Sequence, residues 1–86
     1  MPPPDPVGGA LALELTASVG RFLWLRGRPA EGAAWLDRAL AGSRGDPSAV
    51  RARALFWSGV LHDDGGRPEI AAERLDACLA MQRELG

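Results

Sequence analysis

One stretch of the chain is nearly repeated 39 residues further on, and this repeat restricts the folds available to it. The segment GRPAEGAAWLDRALA covers residues 27–41 and GRPEIAAERLDACLA covers residues 66–80, with eight of fifteen positions identical. A self-similar period of roughly 20 to 50 residues is typical of stacked supersecondary units. The sequence therefore predicts two similar units within its 86 residues.

The first unit has the apolar spacing of two helices. Gly27 tolerates a left-handed helix end and Pro29 suits a first helical turn, so a turn between residues 26 and 29 is expected. Apolar residues at steps of three and four predict a first helix from Ala10 to about Arg26 and a second over residues 29–41. The expected buried faces are Leu11, Leu15, Val19, Phe22 and Leu23 on the first helix, and Ala33, Leu36, Ala39 and Leu40 on the second.

The second unit carries the same signals. Asp46 is the expected N-cap and Pro47 the first residue of a third helix that ends near residue 61 or 62. A fourth helix is predicted from Pro68 to about Leu85, with Gly86 as its cap. The expected inner residues are Val50, Ala54, Leu55, Ser58 and Leu61 on the third helix, and Ala71, Leu75, Cys78 and Leu79 on the fourth.

The predicted fold is all-α, with two antiparallel helical hairpins stacked as a fragment of an α-solenoid. The expected organisation is a disordered Pro/Gly-rich tail over residues 1–9, hairpin 1 over 10–42, a loop over 43–47 and hairpin 2 over 48–86. The 39-residue offset pairs Gly20 with Gly59. A helical glycine costs about 1 kcal/mol relative to alanine, so two at matching positions indicate close helix packing.

Composition excludes several classes of function. The net charge of −1 argues against nucleic-acid binding by this segment, because such affinity comes from clustered cations. Cys78, the only cysteine, can form no internal disulfide, so a cytoplasmic location is expected. Glu14 and Arg21 interrupt the apolar stretch of residues 10–25, which argues against a membrane segment.

The sequence His62, Asp63 and Asp64 is the only one with the residue types of a metal or proton-transfer site. A metal site needs three or four converging ligands. The same three residues are also explained as the polar end of a helix that stops before a Gly-Gly turn. No catalytic, metal or cofactor residue is therefore predicted. Charged residues of the second helices are expected to form a solvated face: Glu31, Asp37, Arg38, Glu69, Glu73, Arg74 and Asp76.

The two units resemble tetratricopeptide-like helical repeats. That pattern places small residues, a turn glycine and a large residue at set positions. They are Gly20, Gly27, Gly32, Leu36 and Ala39 in the first unit, and Gly59, Gly66, Ala71, Leu75 and Cys78 in the second. The spacing of 39 exceeds the usual 34 or so. Arg28 and Arg67 also stand where the standard repeat commonly has a capping aspartate.

A closer resemblance is to the repeat region of MalT-like members of the LuxR family, which are large ATP-dependent bacterial transcriptional regulators. It is carried by LWLRGRPAEGAAWLDRALA (residues 23–41), RARALFWSGVL (51–61) and MQRELG (81–86). The resemblance implies a module that senses an inducer or mediates oligomerisation. No phosphate-binding loop or recognition helix is present in the sequence, so no ATPase or DNA-binding residue is assigned.

The tetratricopeptide-like register implies a concave wall formed by the first helix of each hairpin. The candidate contacts with a protein or ligand on this wall are Arg21, Trp24, Arg53, Phe56, Trp57 and Val60. Aromatic and arginine side chains dominate binding hot spots. The alternative interpretation is that Trp24, Phe56 and Trp57 fill gaps between helices.

Two functions from different classes follow, besides a hydrolase based on His62. The first is a non-enzymatic module for protein interaction or inducer sensing within a larger transcriptional regulator, whose partner is another protein or the adjacent repeats. The second is a free-standing helical scaffold that forms a homodimer through its open ends. Repeat arrays usually need about three units, so the Leu, Phe or Met side chains at each end are expected to be covered.

Overall fold

Four helices joined by short turns make up the described part of the chain. A computed structural model describes residues 6–42 and 47–86, with side chains described from residue 11 onward. The helices are α1 (Pro6–Leu25), α2 (Pro29–Gly42), α3 (Ala49–Asp64) and α4 (Pro68–Leu85). Neither described range contains a strand. The all-α prediction is therefore confirmed.

Helix α3 is the centre of the packing. Helices α1 and α2 pack on each other as hairpin 1, and α3 packs against both of them and against α4. The backbone of α4 comes close only to α3, which forms hairpin 2 with it. Leu36 of hairpin 1 and Leu61 of hairpin 2 are 0% exposed, so the core lies between the two hairpins.

The turns of the two hairpins have the same geometry. Gly27 and Gly66 have φ values of 73° and 80°, the left-handed region that favours glycine. In both turns the residue after the glycine donates its N–H to the carbonyl oxygen five residues earlier, at 2.8 Å. The 39-residue correspondence is therefore structural as well as sequential.

The two turn glycines are expected to be sensitive to substitution. Gly27→Ala and Gly66→Ala should each lower the free energy of unfolding by about 1 kcal/mol, because alanine is strained at positive φ. Chemical denaturation measures the change. Gly42→Ala is the control, since Gly42 is helical and has open space at its Cβ position. Equal losses at all three positions would contradict the assigned turn geometry.

Gly20 and Gly59 occupy equivalent places, as predicted. A Cβ atom at Gly20 would lie 3.0 Å from Leu36 Cδ1, and one at Gly59 would lie 2.7 Å from Leu75 Cγ. In each hairpin the second helix thus approaches the glycine of the first. The Cδ1 atom of Leu61 would be 3.2 Å from a Cβ atom at Gly20, so hairpin 2 also uses this gap.

Two predicted helix starts are wrong. Helix α1 begins at Pro6 instead of Ala10, so residues 6–9 are helical although a disordered tail was expected there; proline is compatible with a first helical turn. Helix α3 begins at Ala49, two residues after Pro47, and its N-cap is Ser48, whose Oγ accepts the N–H of Arg51 at 3.0 Å. Residues 1–5 of the tail and residues 43–46 of the loop, Asp46 included, lie outside the described residues.

The predicted buried face of α1 is also wrong. Leu13, Ala17, Gly20 and Leu23 are buried, whereas the other predicted residues are exposed: Leu11, Leu15, Val19 and Phe22. Helix α1 is apolar on nearly all sides, and the small Ala17 and Gly20 let α2 and α3 approach one side closely. The inner faces of α2 and α3 are buried or half-buried as predicted. On α4, Ala71 and Cys78 are buried, but Leu79 is exposed.

Candidate interaction site

An open groove of about 240 Å³ runs between α1 and α3. Its lining residues are Glu14, Ala17, Ser18 and Arg21 from α1, and Arg53 and Trp57 from α3. The groove forms because α1 and α3 pack side by side through small residues such as Ala17, which leaves the longer side chains at the edges. Three of the six predicted contact residues, Arg21, Arg53 and Trp57, are brought together here.

An aromatic cluster adjoins this groove. Trp57 lies between two other rings, with centroids 5.7 Å from Trp24 and 5.6 Å from Phe56. The indole N–H of Trp24 donates to the carboxylate of Asp64, which fixes the ring. Trp57 is half-buried against the core, whereas Trp24 and Phe56 are exposed. Val60, the sixth predicted residue, is half-buried and does not line the groove.

The two arginines of the groove are free to bind, whereas the hydroxyl of Ser18 donates to the carbonyl oxygen of Glu14. Within the residues that the structure describes, the guanidinium groups of Arg21 and Arg53 have no hydrogen-bond or ion-pair partner. Both are exposed, as is the single carboxylate, that of Glu14. Arginine binds carboxylates through charge-assisted hydrogen bonds, often two at once. The groove can therefore hold an acidic group next to an aromatic surface.

A second polar cluster, which sequence analysis did not predict, ties hairpin 1 to hairpin 2. Its centre is Asp37 of α2. Ser58 Oγ donates to Asp37 Oδ1 at 2.8 Å, and His62 Nε2 lies 2.7 Å from Asp37 Oδ2. Arg74 Nε of α4 is 3.4 Å from Asp37 Oδ1. This carboxylate thus contacts both helices of hairpin 2.

The cluster corrects two expectations. His62 is 3% exposed and binds Asp37, so it does not serve as a solvated helix end. Asp37 and Arg74 are half-buried partners across the hairpins and do not belong to a solvated face. One signal in the sequence indicates that His62 is buried. The 39-residue offset aligns His62 with Leu23, a core position, and Ser58 lies one turn earlier on the same face.

The geometry of the cluster does not suit nucleophilic catalysis. In a catalytic triad the serine donates to the histidine, and the acid orients that histidine. Here Ser58 donates to Asp37 and is 0% exposed, and the Nδ1 atom of His62 is buried without a partner. Nor does the structure bring His62 together with Asp63 and Asp64, which are exposed.

No group of three or more His, Cys, Asp or Glu side chains within residues 6–42 and 47–86 could hold a metal ion. Cys78 is buried, and its Sγ donates to the carbonyl oxygen of Ala52 at 3.2 Å. Burial raises the pKa of this thiol above its ordinary value, which lowers its reactivity.

The pKa of Asp37 predicts how the cluster responds to acid. Burial alone would raise this pKa, but the hydrogen bonds from His62 and Ser58 and the charge of Arg74 outweigh it and hold the pKa below 3.8. Because the folded pKa is the lower one, the stabilisation is present above pH 3.8 and is lost as the pH falls through the folded value.

The stability difference between the wild type and Asp37→Asn should therefore shrink as the pH falls below 3.8. Urea unfolding at a series of pH values tests this, and a constant difference down to about pH 2 would contradict it.

Two further findings concern the chain as a possible membrane protein and its similarity to known proteins. None of the helices in the described part of the chain is long and apolar enough to cross a membrane. Comparison of the chain with family models, with curated proteins and with solved structures finds no match.

Proposed function

We propose that the chain is a non-enzymatic helical-repeat module that binds a protein partner along the groove between α1 and α3. The observation that carries this proposal is the pair of unpartnered guanidinium groups, Arg21 and Arg53, beside the ring of Trp57. Arginine and tryptophan are the residue types most enriched in binding hot spots. The partner is a peptide segment with acidic and apolar side chains.

The dimensions of the groove favour a protein segment over a small inducer. Pockets for small molecules usually enclose about 300 to 1,000 Å³ and surround most of the ligand. The groove, of about 240 Å³, is smaller and open along its length. Its exposed rim of charged side chains resembles the polar rim of a protein interface.

The proposed context is a larger ATP-dependent transcriptional regulator of the cytoplasm. This part of the proposal rests on the resemblance to the repeat region of MalT-like regulators and on the repeat of 39 residues. In that setting the module contacts another protein or a neighbouring part of the same regulator.

A peptide-binding measurement tests the groove. The probes are synthetic helical peptides that combine leucine with glutamate, and matched peptides with glutamine in place of glutamate. We expect the glutamate peptides to bind more tightly and to change the tryptophan fluorescence of the chain, because Trp57 lines the groove. Arg21→Ala and Arg53→Ala should each weaken binding about tenfold, because each removes a charge-assisted hydrogen bond.

Arg83→Ala is the matched control, since Arg83 is an exposed arginine in the last turn of α4. It should leave the affinity unchanged. The proposal is wrong if glutamate and glutamine peptides bind equally, or if Arg83→Ala weakens binding as much as Arg53→Ala.

A further inference from the structure

The side of α1 that faces away from the core carries a row of large apolar side chains, here called the outer face of α1. Its members and their exposed fractions are Leu11 at 55%, Leu15 at 66%, Val19 at 44% and Phe22 at 54%. They follow one another at steps of four, four and three, so they form one continuous strip on the helix. Contiguous exposed apolar surface of this kind marks an interaction site.

The internal repeat shows what kind of surface this strip is. With the 39-residue offset, its members correspond to Val50, Ala54, Ser58 and Leu61 of α3. Three of these counterparts are 0% exposed and Val50 is half-buried. Leu61 fits between Gly20 and Gly32, and Ser58 binds Asp37, so this side of α3 is covered by hairpin 1. The outer face of α1 therefore has the position of a helix-packing surface, and none of the residues that the structure describes covers it.

Hairpin 2 of a second copy is a poor neighbour for steric reasons. The contact inside the chain places Leu61 against Gly32, with 3.2 Å between the Leu61 Cδ1 atom and a Cβ position on that glycine. The counterpart of Gly32 in hairpin 2 is Ala71, and the counterpart of Leu61 on α1 is Phe22. If hairpin 2 of a second copy packed on α1, Phe22 would take the place of the smaller Leu61, and Ala71 would leave less space than Gly32 does. Overpacking of this kind is destabilising.

The same arrangement is unfavourable electrostatically. Within the chain, Asp37 faces Ser58 and His62, which hydrogen-bond its carboxylate. A head-to-tail contact would place Asp76, the counterpart of Asp37, opposite Val19 and Leu23, the counterparts of those two donors. Burying a carboxylate against apolar side chains without a donor is strongly unfavourable.

We propose that the outer faces of α1 from two copies of this chain pack against each other in a symmetric dimer. The four side chains of the face include no charge, so two identical faces can meet without burying one. Rows of side chains four residues apart interlock well between two helices, and a two-fold dimer is the commonest assembly of identical chains. The cation of Arg26 lies over the Phe22 ring at 5.1 Å and is exposed, so its charge stays at the edge.

The test is the mass of the 86-residue chain in solution. Sedimentation equilibrium from about 10 µM to about 500 µM covers the dissociation constants expected of a small interface. We expect a transition from 9.1 kDa to twice that mass, with no larger species. Leu15→Glu should weaken the dimer by at least about tenfold, since a two-fold interface buries the new charge twice. Leu15 is 66% exposed, so the fold is retained, which circular dichroism checks.

Leu79→Glu is the matched control, because Leu79 is 51% exposed on α4 and takes no part in the proposed interface. It should leave the dimer unchanged. A monomer throughout the concentration range would overturn the proposal. Masses that grow beyond the dimer, and that Leu15→Glu and Leu79→Glu reduce equally, would also overturn it. That behaviour is expected of a head-to-tail contact, in which α1 of one copy packs on hairpin 2 of the next. The outcome does not depend on peptide binding in the groove between α1 and α3.

Discussion

Replacing Leu61 with alanine is expected to lower the free energy of unfolding by about 3 to 4 kcal/mol. Leu61 is 0% exposed and fills the gap between Gly20 and Gly32, where the two hairpins meet. The substitution leaves a cavity that rigid helix backbones cannot close. Because a domain of this size is stabilised by only about 5 to 10 kcal/mol in total, the loss should be evident in a urea titration followed by circular dichroism.

The counterpart of Leu61 in hairpin 1 provides the control. Phe22 has the larger side chain, but it is 54% exposed on the outer face of α1. At low micromolar concentration, where the chain is expected to be monomeric, Phe22→Ala should change the free energy of unfolding by no more than about 0.5 to 1 kcal/mol. Equal losses for Phe22→Ala and Leu61→Ala would mean that the outer face of α1 is packed in the monomer.

Replacing Asp37 with alanine should lower the free energy of unfolding by about 2 to 3 kcal/mol at neutral pH. The substitution removes the acceptor for Ser58 and His62, which are 0% and 3% exposed, so two buried polar groups lose their hydrogen-bond partner. It also removes the partner of Arg74. Differential scanning calorimetry should show a fall in Tm of roughly 10 °C or more for a chain of this length.

Asp76 is the matched residue for this experiment. It follows the same leucine in the repeated segment, but it is exposed at the surface of α4. Asp76→Ala should change the stability by less than about 0.5 kcal/mol. If Asp37→Ala changed the stability as little as Asp76→Ala is expected to, the buried polar cluster would not contribute to the stability of the fold.

The elements that the sequence predicts well are those with local signals. The turns at Gly27 and Gly66 and the start of α4 at Pro68 follow from the backbone preferences of single residues, which neighbouring chain segments do not alter. The inner faces of α2 and α3 also follow from periodicity. Helix α2 has a polar side, so only one of its faces is suitable for burial, whereas α3 also packs against α4 through a second face that includes Gly59.

The buried face of α1 could not be predicted in this way. Both sides of this helix are apolar, so periodicity offers two faces and does not choose between them. The small side chain of Ala17 and the absence of one at Gly20 decide the packing, because they allow α2 and α3 to come close. The larger Leu11 and Leu15 therefore stay outside, although hydrophobicity alone favours their burial.

The polar cluster around Asp37 could not be predicted from the sequence for a different reason. Asp37 and Asp76 stand in nearly the same local sequence, yet one is bound between hairpins and the other is exposed. The difference arises from the helix that lies next to each residue and not from the residue's own segment.

In the groove, the register of the repeat placed Arg21, Arg53 and Trp57 on neighbouring helices, and the structure brings these three residues together because the first helices of the two hairpins are neighbours.

The position of α4 at the edge of the packing has a consequence for local stability. Its backbone approaches α3 alone, and Arg74 links it to Asp37 of hairpin 1. Separation of α4 would leave the three-helix unit of α1, α2 and α3 with its contacts intact, whereas displacement of α3 would break three of the four helix interfaces and leave only that between α1 and α2. Opening motions are thus easiest at the carboxyl-terminal helix, and its amides are the ones that solvent reaches without global unfolding.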